Sequence, residues 1–242
     1  MHSATIVRRR DATDDLFVLW LQPHIPFVFK AGQYITLGME GIERPYSIVS
    51  APYEREIELF IERVAPDQGG HLTPLLHTAH TGDVLTMRPV AKGRFTFRAD
   101  ATHHVMMATV TGIAPYVSMI RQFLHNPHGA AKREGHRFFV IHGASYRDEF
   151  VYDAELRALR DEHPGLIEYI PSVSRPSAAR NQGWSGAVGR VNEILDEHLA
   201  RWSLPQADTV IYLCGNPGMI EDAKRRVVPQ GWSVAQEQYW AR

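Results

Sequence analysis

Glu56-Ile57-Glu58-Leu59-Phe60-Ile61-Glu62 sets Ile57, Leu59 and Ile61 at every second position between acidic residues. A period of two over seven residues predicts a half-buried antiparallel strand with those three side chains on the core face. Working outward, residues 16–21 (LFVLWL) form an apolar strand, and residues 32–37 (GQYITL) form another after a Pro-marked loop. Residues 83–90 and 94–97 read as two more short strands, bounded by Gly82 and Gly93, with one helix over 72–79. Many short strands at this spacing predict a β-barrel or sandwich.

Beyond residue 103 the rhythm changes. Strands over 104–108, 138–142, 166–170 and 210–213 alternate with helices near 115–124, 153–161, 191–199 and 219–228. Alternating strand and helix implies right-handed βαβ units and a parallel sheet. The expected organisation is therefore two domains: an antiparallel β-barrel over 1–100 and a Rossmann-like α/β domain over 101–242. The linker is expected near 98–102. Residues 175–186 (RPSAARNQGWSG) make the one long polar loop, and it follows a sheet strand, where parallel α/β folds bind ligands.

Composition narrows the function. The formal charge is −1, and residues 1–100 carry 11 Lys and Arg against 12 Asp and Glu, so neither half is a basic platform for nucleic acid. Cys214 is the only cysteine, which excludes an internal disulfide, a cysteine-ligated iron–sulfur cluster and the usual structural zinc site. No apolar run approaches a membrane span and residues 1–10 hold no signal-peptide core, so a cytoplasmic, monomeric protein is expected.

Four short segments carry candidate chemistry. Arg44-Pro45-Tyr46-Ser47 offers a cation, a flat ring and a hydroxyl within four residues of a strand, a set that suits a flavin; it equally fits a strand with a surface Arg and a half-buried Tyr. Gly69-Gly70-His71-Leu72-Thr73-Pro74 runs glycines into a helix start, leaving N–H groups and the Thr73 hydroxyl for an anion, or simply capping the helix. Thr109-Val110-Thr111-Gly112-Ile113-Ala114-Pro115 lies where Rossmann-type folds bind phosphates, yet has no G-x-G-x-x-G. In Cys214-Gly215-Asn216-Pro217-Gly218-Met219, Gly215 would admit a ligand to the backbone while Asn216-Pro217 turns the chain into a helix. Alone, Cys214 reads as a small buried apolar residue.

Taken in order, R-P-Y-S, the glycine-led H-L-T-P, T-G-I-A-P-Y, V-S-R-P, G-R-V, C-G-N-P-G-M and a terminal E-Q-Y-W resemble the ferredoxin–NADP reductase family over nearly the whole chain. The shortness and the Y-W ending are most similar to its bacterial ferredoxin/flavodoxin reductase branch. The resemblance implies FAD on the barrel and NADP(H) on the α/β domain. It implies that Arg44 binds the FAD pyrophosphate, that Pro45 and Tyr46 lie along the isoalloxazine, and that Ser47 approaches N5. His71, Leu72 and Thr73 would hold the pyrophosphate mainly through backbone N–H groups. Thr111 would sit where flavin and nicotinamide meet. Ser174 and Arg175 would grip the adenosine 2′-phosphate, with Arg190 as a second cation. Cys214, Gly215, Asn216 and Pro217 would line the nicotinamide side, Glu237 would relay a proton, and Tyr239 and Trp240 would return to the FAD. Two positions depart from the family: Val110 replaces a glycine, and Ser145 stands where many bacterial members carry Arg beside the 2′-phosphate, the nearest cation here being Arg147.

The resemblance thus implies an FAD-dependent reductase passing electrons between NADPH and ferredoxin or flavodoxin. The alternatives are an oxygenase-associated or free flavin reductase, and a non-catalytic FAD-binding regulatory subunit. His77 and His80 read as a solvated helix face, and Arg8-Arg9-Arg10 as a solvated strand end or a docking patch for an acidic carrier.

Overall fold

The computed structural model describes residues 2–125 and 135–238. These form two compact units, and the chain does not divide between them at a single point. Residues up to Phe97 join with the segment from Ala114 in one unit; Arg98–Ile113 and the later chain make the other.

The first unit is one antiparallel sheet of β1 (His2–Asp11), β2 (Leu16–Pro23), β3 (Tyr34–Met39), β4 (Ile42–Ser47), β5 (Ile57–Glu62) and β6 (Val84–Met87). The spatial order is β4-β3-β6-β1-β2-β5. Ile48, just past β4, bridges to Leu59 of β5, and Val49 N–H donates to Glu58 O at 2.8 Å, so the two ends of the order meet and the sheet nearly closes. Closure removes the exposed edges an open sheet would present. Ile6, Phe17, Leu19, Leu21, Ile35, Leu37, Ile57, Leu59 and Ile61 fill the interior.

The half-buried reading of β5 is corrected. Ile57, Leu59 and Ile61 face the core as expected, but Glu58 and Phe60 on the opposite face are each only 5% exposed. Helix α2 (Ala114–His125) belongs to this unit and supplies part of the cover. Arg121 Nη1 lies 2.7 Å from Glu58 Oε2, and Ser118 Oγ donates to Ser50 O at 2.7 Å. The strand expected over 94–97 is absent. Phe95 is buried beside Tyr116 at 5.9 Å, and Phe97 stands 5.5 Å from Phe123, so packing against α2 overrides the local β pattern.

Helix α1 (Thr73–Thr78) ends where Arg9 Nη1 donates to Leu76 O at 3.0 Å and Ala79 O at 2.8 Å. Arg9 also pairs with Asp11, and Arg8 stacks 3.8 Å over the Trp20 ring while pairing with Glu56. Arg10 also lies 5.9 Å over Trp20, so all three arginines contact the barrel, with Arg8 and Arg10 still exposed.

The second unit is a parallel sheet of β7 (His103–Thr109), β8 (Arg137–Ala144), β9 (Ile167–Val173), β10 (Ala187–Val188), β11 (Thr209–Gly215) and β12 (Ser233–Gln238), in the order β10-β9-β8-β7-β11-β12. Its helices are α3 (Asp153–Glu162), α4 (Val191–Trp202) and α5 (Pro217–Val227). Val105, Met107, Phe139, Ile141, Ile211 and Leu213 pack with Val191, Leu195, Ile220 and Ala223 of α4 and α5. Sequence order runs outward from β7 to β10 and then resumes on the other side with β11. The gap between the carboxyl ends of β7 and β11 is therefore a topological switch point, where open α/β sheets bind ligands. Among the described residues, no helix is long and apolar enough to cross a membrane.

Candidate functional site

In the first unit, β4 carries Arg44, Pro45 and Tyr46 into Ser47. Arg44 and Pro45 are exposed, Tyr46 is half-buried and Ser47 is 6% exposed. Strand alternation gives Arg44 and Tyr46 the same parity and Ser47 the opposite one, so the three do not share one face. Arg44 donates to Glu43 O at 2.7 Å and pairs with no carboxylate among the described residues. The Tyr46 hydroxyl is buried with no hydrogen-bond partner among the described residues, and burial pushes the phenol well above its ordinary pKa. A buried hydroxyl left unsatisfied costs about 1–3 kcal/mol, which singles out Tyr46 as a candidate binding position.

The turn into α1 lies in the same unit. Gly70 is required there, because a Cβ would fall 1.8 Å from Val64 O. Thr73 Oγ1 accepts from Val64 N at 2.9 Å and donates to Val64 O at 3.3 Å. The expectation that this hydroxyl serves an anion is corrected: it pins the turn to the end of β5. The backbone N–H groups of His71, Leu72 and Thr73 have no acceptor among the described residues, as the first turn of a helix leaves them. They are the groups this turn can offer to an anion.

In the second unit the switch point is built from Thr109, the turn Val110–Ile113 and the start of α5. Gly215 has φ 121°, and a Cβ there would lie 2.3 Å from Thr109 Oγ1. The close approach of Thr109 therefore requires glycine at this position, a reason the sequence alone did not show. Thr109 Oγ1 accepts from Asn216 N at 2.8 Å, the Asn216 side chain caps α5 by accepting from Met219 N at 3.2 Å, and Pro217 opens that helix. Cys214 is fully buried, in register with Ala108 on one side and Glu237 on the other.

Val110 has φ 42°, a left-handed backbone that a β-branched residue rarely adopts. Two contacts hold it. Its side chain packs against Ala144, Phe150 and Val173, and His142 Nε2 donates to its carbonyl at 2.9 Å. His142 is fully buried, and desolvation pulls its pKa down to about 4, against the opposing pull of that hydrogen bond. At neutral pH the ring is therefore uncharged, with its Nε2 proton directed at Val110.

A group of cations gathers at the carboxyl ends of β8, β9 and β10. Arg147, Ser174, Arg175 and Arg190 are exposed and Ser145 is half-buried. Arg147, Arg175 and Arg190 pair with no carboxylate among the described residues, whereas Arg180 is held bidentate by Asp148 at 2.7 and 2.8 Å. Arg175 Nη1 donates to the Tyr146 hydroxyl at 2.8 Å, and the guanidinium carbons of Arg175 and Arg180 lie 5.4 and 4.0 Å from the Tyr146 ring centroid. Asn181, 2% exposed, accepts from Arg147 N at 2.8 Å and donates to Ser145 O at 2.9 Å and Arg175 O at 2.8 Å.

Residues 106–225, within this parallel sheet and its switch point, match the family model of the oxidoreductase NAD-binding domain. The flavodoxin/ferredoxin–NADP reductase of Buchnera aphidicola is 27% identical, covering 91% of this chain and 87% of its own. That of Escherichia coli is 28% identical over 90% and 86%. The chain is thus similar to ferredoxin–NADP reductases over most of its length, and its second unit carries the oxidoreductase NAD-binding domain. The fold agrees: a ferredoxin–NADP⁺ reductase from Neisseria gonorrhoeae, solved with bound FAD and NADP, superposes with a TM-score of 0.80 at 24% identity, covering 98% of each chain.

Within this reductase fold, the sequence-named residues fall into two groups. Arg44, Pro45, Tyr46, Ser47, His71, Leu72 and Thr73 belong to the barrel; Thr111, Ser145, Ser174, Arg175, Arg190, Cys214, Gly215, Asn216, Pro217 and Glu237 belong to the α/β unit. Tyr239 and Trp240 lie outside the described residues. Sequence reasoning missed Tyr146, Asn181 and His142. Tyr146 stands beside the already suspected Ser145 and Arg147, so a search for rings near cations would have found it. A buried Asn inside a polar loop and a His inside a core strand leave no such signal.

Proposed function

We propose that the chain is an FAD-dependent oxidoreductase that transfers electrons between NADPH and a one-electron carrier protein, ferredoxin or flavodoxin. One observation supports the cofactor reading above the others: the Tyr46 hydroxyl, buried with no partner among the described residues, in the same unit as an Arg44 without a carboxylate and three free N–H groups at His71–Thr73. Together these are a ring and two elements suited to an anion. Arg44 and the His71–Thr73 turn suit a pyrophosphate, which FAD has and FMN lacks. Bound FAD takes up the two electrons of a hydride and releases them one at a time.

The chain's own residues then have separable tasks. Arg44 and the N–H groups of His71, Leu72 and Thr73 hold the pyrophosphate; Pro45 and Tyr46 support the isoalloxazine; Ser47 holds a proton at N5. Arg175 and Arg190 grip the 2′-phosphate with Ser174, and Ser145 borders it. Thr111, Gly215, Asn216 and Pro217 place the nicotinamide, with Cys214 orienting it rather than acting as a nucleophile. Glu237, in register with Cys214, is the proton relay. Purified protein should be yellow, release FAD and not FMN on denaturation, and reduce a one-electron dye with NADPH. Bound FAD without dye reduction would instead favour a regulatory subunit, and protein that takes up no flavin on reconstitution would end the reading.

A further inference from the structure

The last ladder bond between the β8 and β9 ends joins Ser174 N to Ala144 O at 2.9 Å. Beyond it the two loops have no backbone register to hold them, yet Arg147 and Arg175 sit on opposite loops. Asn181 bridges that gap. Its amide accepts from Arg147 N and donates to both Ser145 O and Arg175 O, at 2.8–2.9 Å, and it is 2% exposed. Its own backbone is fixed as well, with Asn181 N donating to Ala178 O at 2.8 Å and Trp184 N donating to Asn181 O at 2.9 Å. Three of the amide's four hydrogen-bonding capacities are thus committed to the two loops that carry the cations.

We propose that Asn181 is a positioning residue that sets the separation of Arg147 and Arg175, making them a preorganised receptor for a phosphomonoester dianion. The inference rests on the reading of this loop cluster as the adenosine 2′-phosphate site. Two mobile guanidiniums lose rotamer freedom on gripping a phosphate; cations whose backbones are already tied lose less, and the difference appears as affinity for the phosphate alone. Tyr146 adds to this by accepting from Arg175 and receiving its guanidinium against the ring. The amide touches no ligand itself, so its effect must pass through Arg147 and Arg175.

The test is calorimetric binding of adenosine 2′,5′-bisphosphate and of adenosine 5′-monophosphate to the full chain carrying its flavin. In Asn181→Asp a carboxylate replaces the amide donor and faces two carbonyl oxygens. The variant should weaken the bisphosphate about tenfold or more and the monophosphate less than about twofold. In an Arg147→Ala/Arg175→Ala background the same change should alter the ratio no further. Asn181→Ala, which removes the ties without adding a charge, should show the same selective loss and serves if the Asp variant does not fold. Equal loss of both nucleotides, an unchanged ratio, or a full further loss in the double-alanine background would overturn the proposal. A wild-type protein that does not prefer the bisphosphate would instead sink the reading of the site.

Discussion

Acidification should weaken the α/β unit through His142, by an amount its surroundings define. The ring is fully buried and its pKa is pulled down to about 4, whereas in the unfolded chain it returns to its ordinary 6.5. A histidine whose folded pKa is depressed contributes stability that is fully present above pH 6.5 and is lost as pH falls towards 4. At pH 5 the unfolded ring is protonated and the folded one is not. The gap of about 1.5 pH units, at about 1.36 kcal/mol each, comes to about 2 kcal/mol. His104, buried and pulled down to about 3 by desolvation and by the neighbouring His136, adds a similar loss over the same window. Asp100 and Asp208, whose pKa values are lowered, stay ionised in both states above pH 5 and do not contribute. Urea unfolding at pH 7 and pH 5 should therefore show a loss of at least about 4 kcal/mol in the wild type, since His136 and His198, also lowered by burial, act in the same direction. In His142→Gln, where an amide N–H can still reach Val110 O, about half of that loss should disappear. Identical pH dependence in the two proteins would show that His142 titrates alike folded and unfolded, and the account of its burial would fail.

Tyr46→Phe removes a hydroxyl that is buried with no partner among the described residues, so the apoprotein should melt higher, gaining about 1 kcal/mol or more, while FAD binds more weakly. A lower apoprotein melting temperature would mean the hydroxyl is satisfied after all. Arg175→Ala should raise KM for NADPH about ten- to hundredfold, the equivalent of one charge-assisted hydrogen bond, and change NADH kinetics far less; equal losses with both would assign the residue to structure. Cys214→Ser should slow hydride transfer in stopped-flow traces and leave FAD bound, since the residue lies in the α/β unit; loss of flavin would show that Cys214 serves packing instead.

Local pattern carried most of the secondary structure. The alternation at Ile57–Ile61 named the inward face of β5, and the switch to strand–helix repeats near residue 103 announced the parallel sheet. It could not show that Glu58 is covered, because the partner that covers it, Arg121, comes 63 residues later. It invented a strand over 94–97 for the same reason: Phe95 and Phe97 are apolar at alternate positions but answer to α2. In the candidate site, Arg175 and Arg190 were named through the family resemblance of V-S-R-P and G-R-V, and both are exposed as a cation for an anion must be. Asn181 and Tyr146, which hold Arg175, were not legible, since a side chain's hydrogen bonds across two loops depend on tertiary placement that no short motif encodes.

Val110 shows how a local rule can be broken and compensated within a few ångströms. A left-handed backbone costs a β-branched residue about 1–3 kcal/mol, which is why glycine suits this position. Fully burying a valine side chain contributes about 1.5–3 kcal/mol, and the partly buried Val110 gains a share of that against Ala144, Phe150 and Val173. The carbonyl, turned by the same φ, meets the Nε2 proton of a neutral His142. Packing against the cluster and the hydrogen bond from the uncharged imidazole together offset the strain. The valine that stands where the family carries glycine ties the turn after β7 to the core of the sheet.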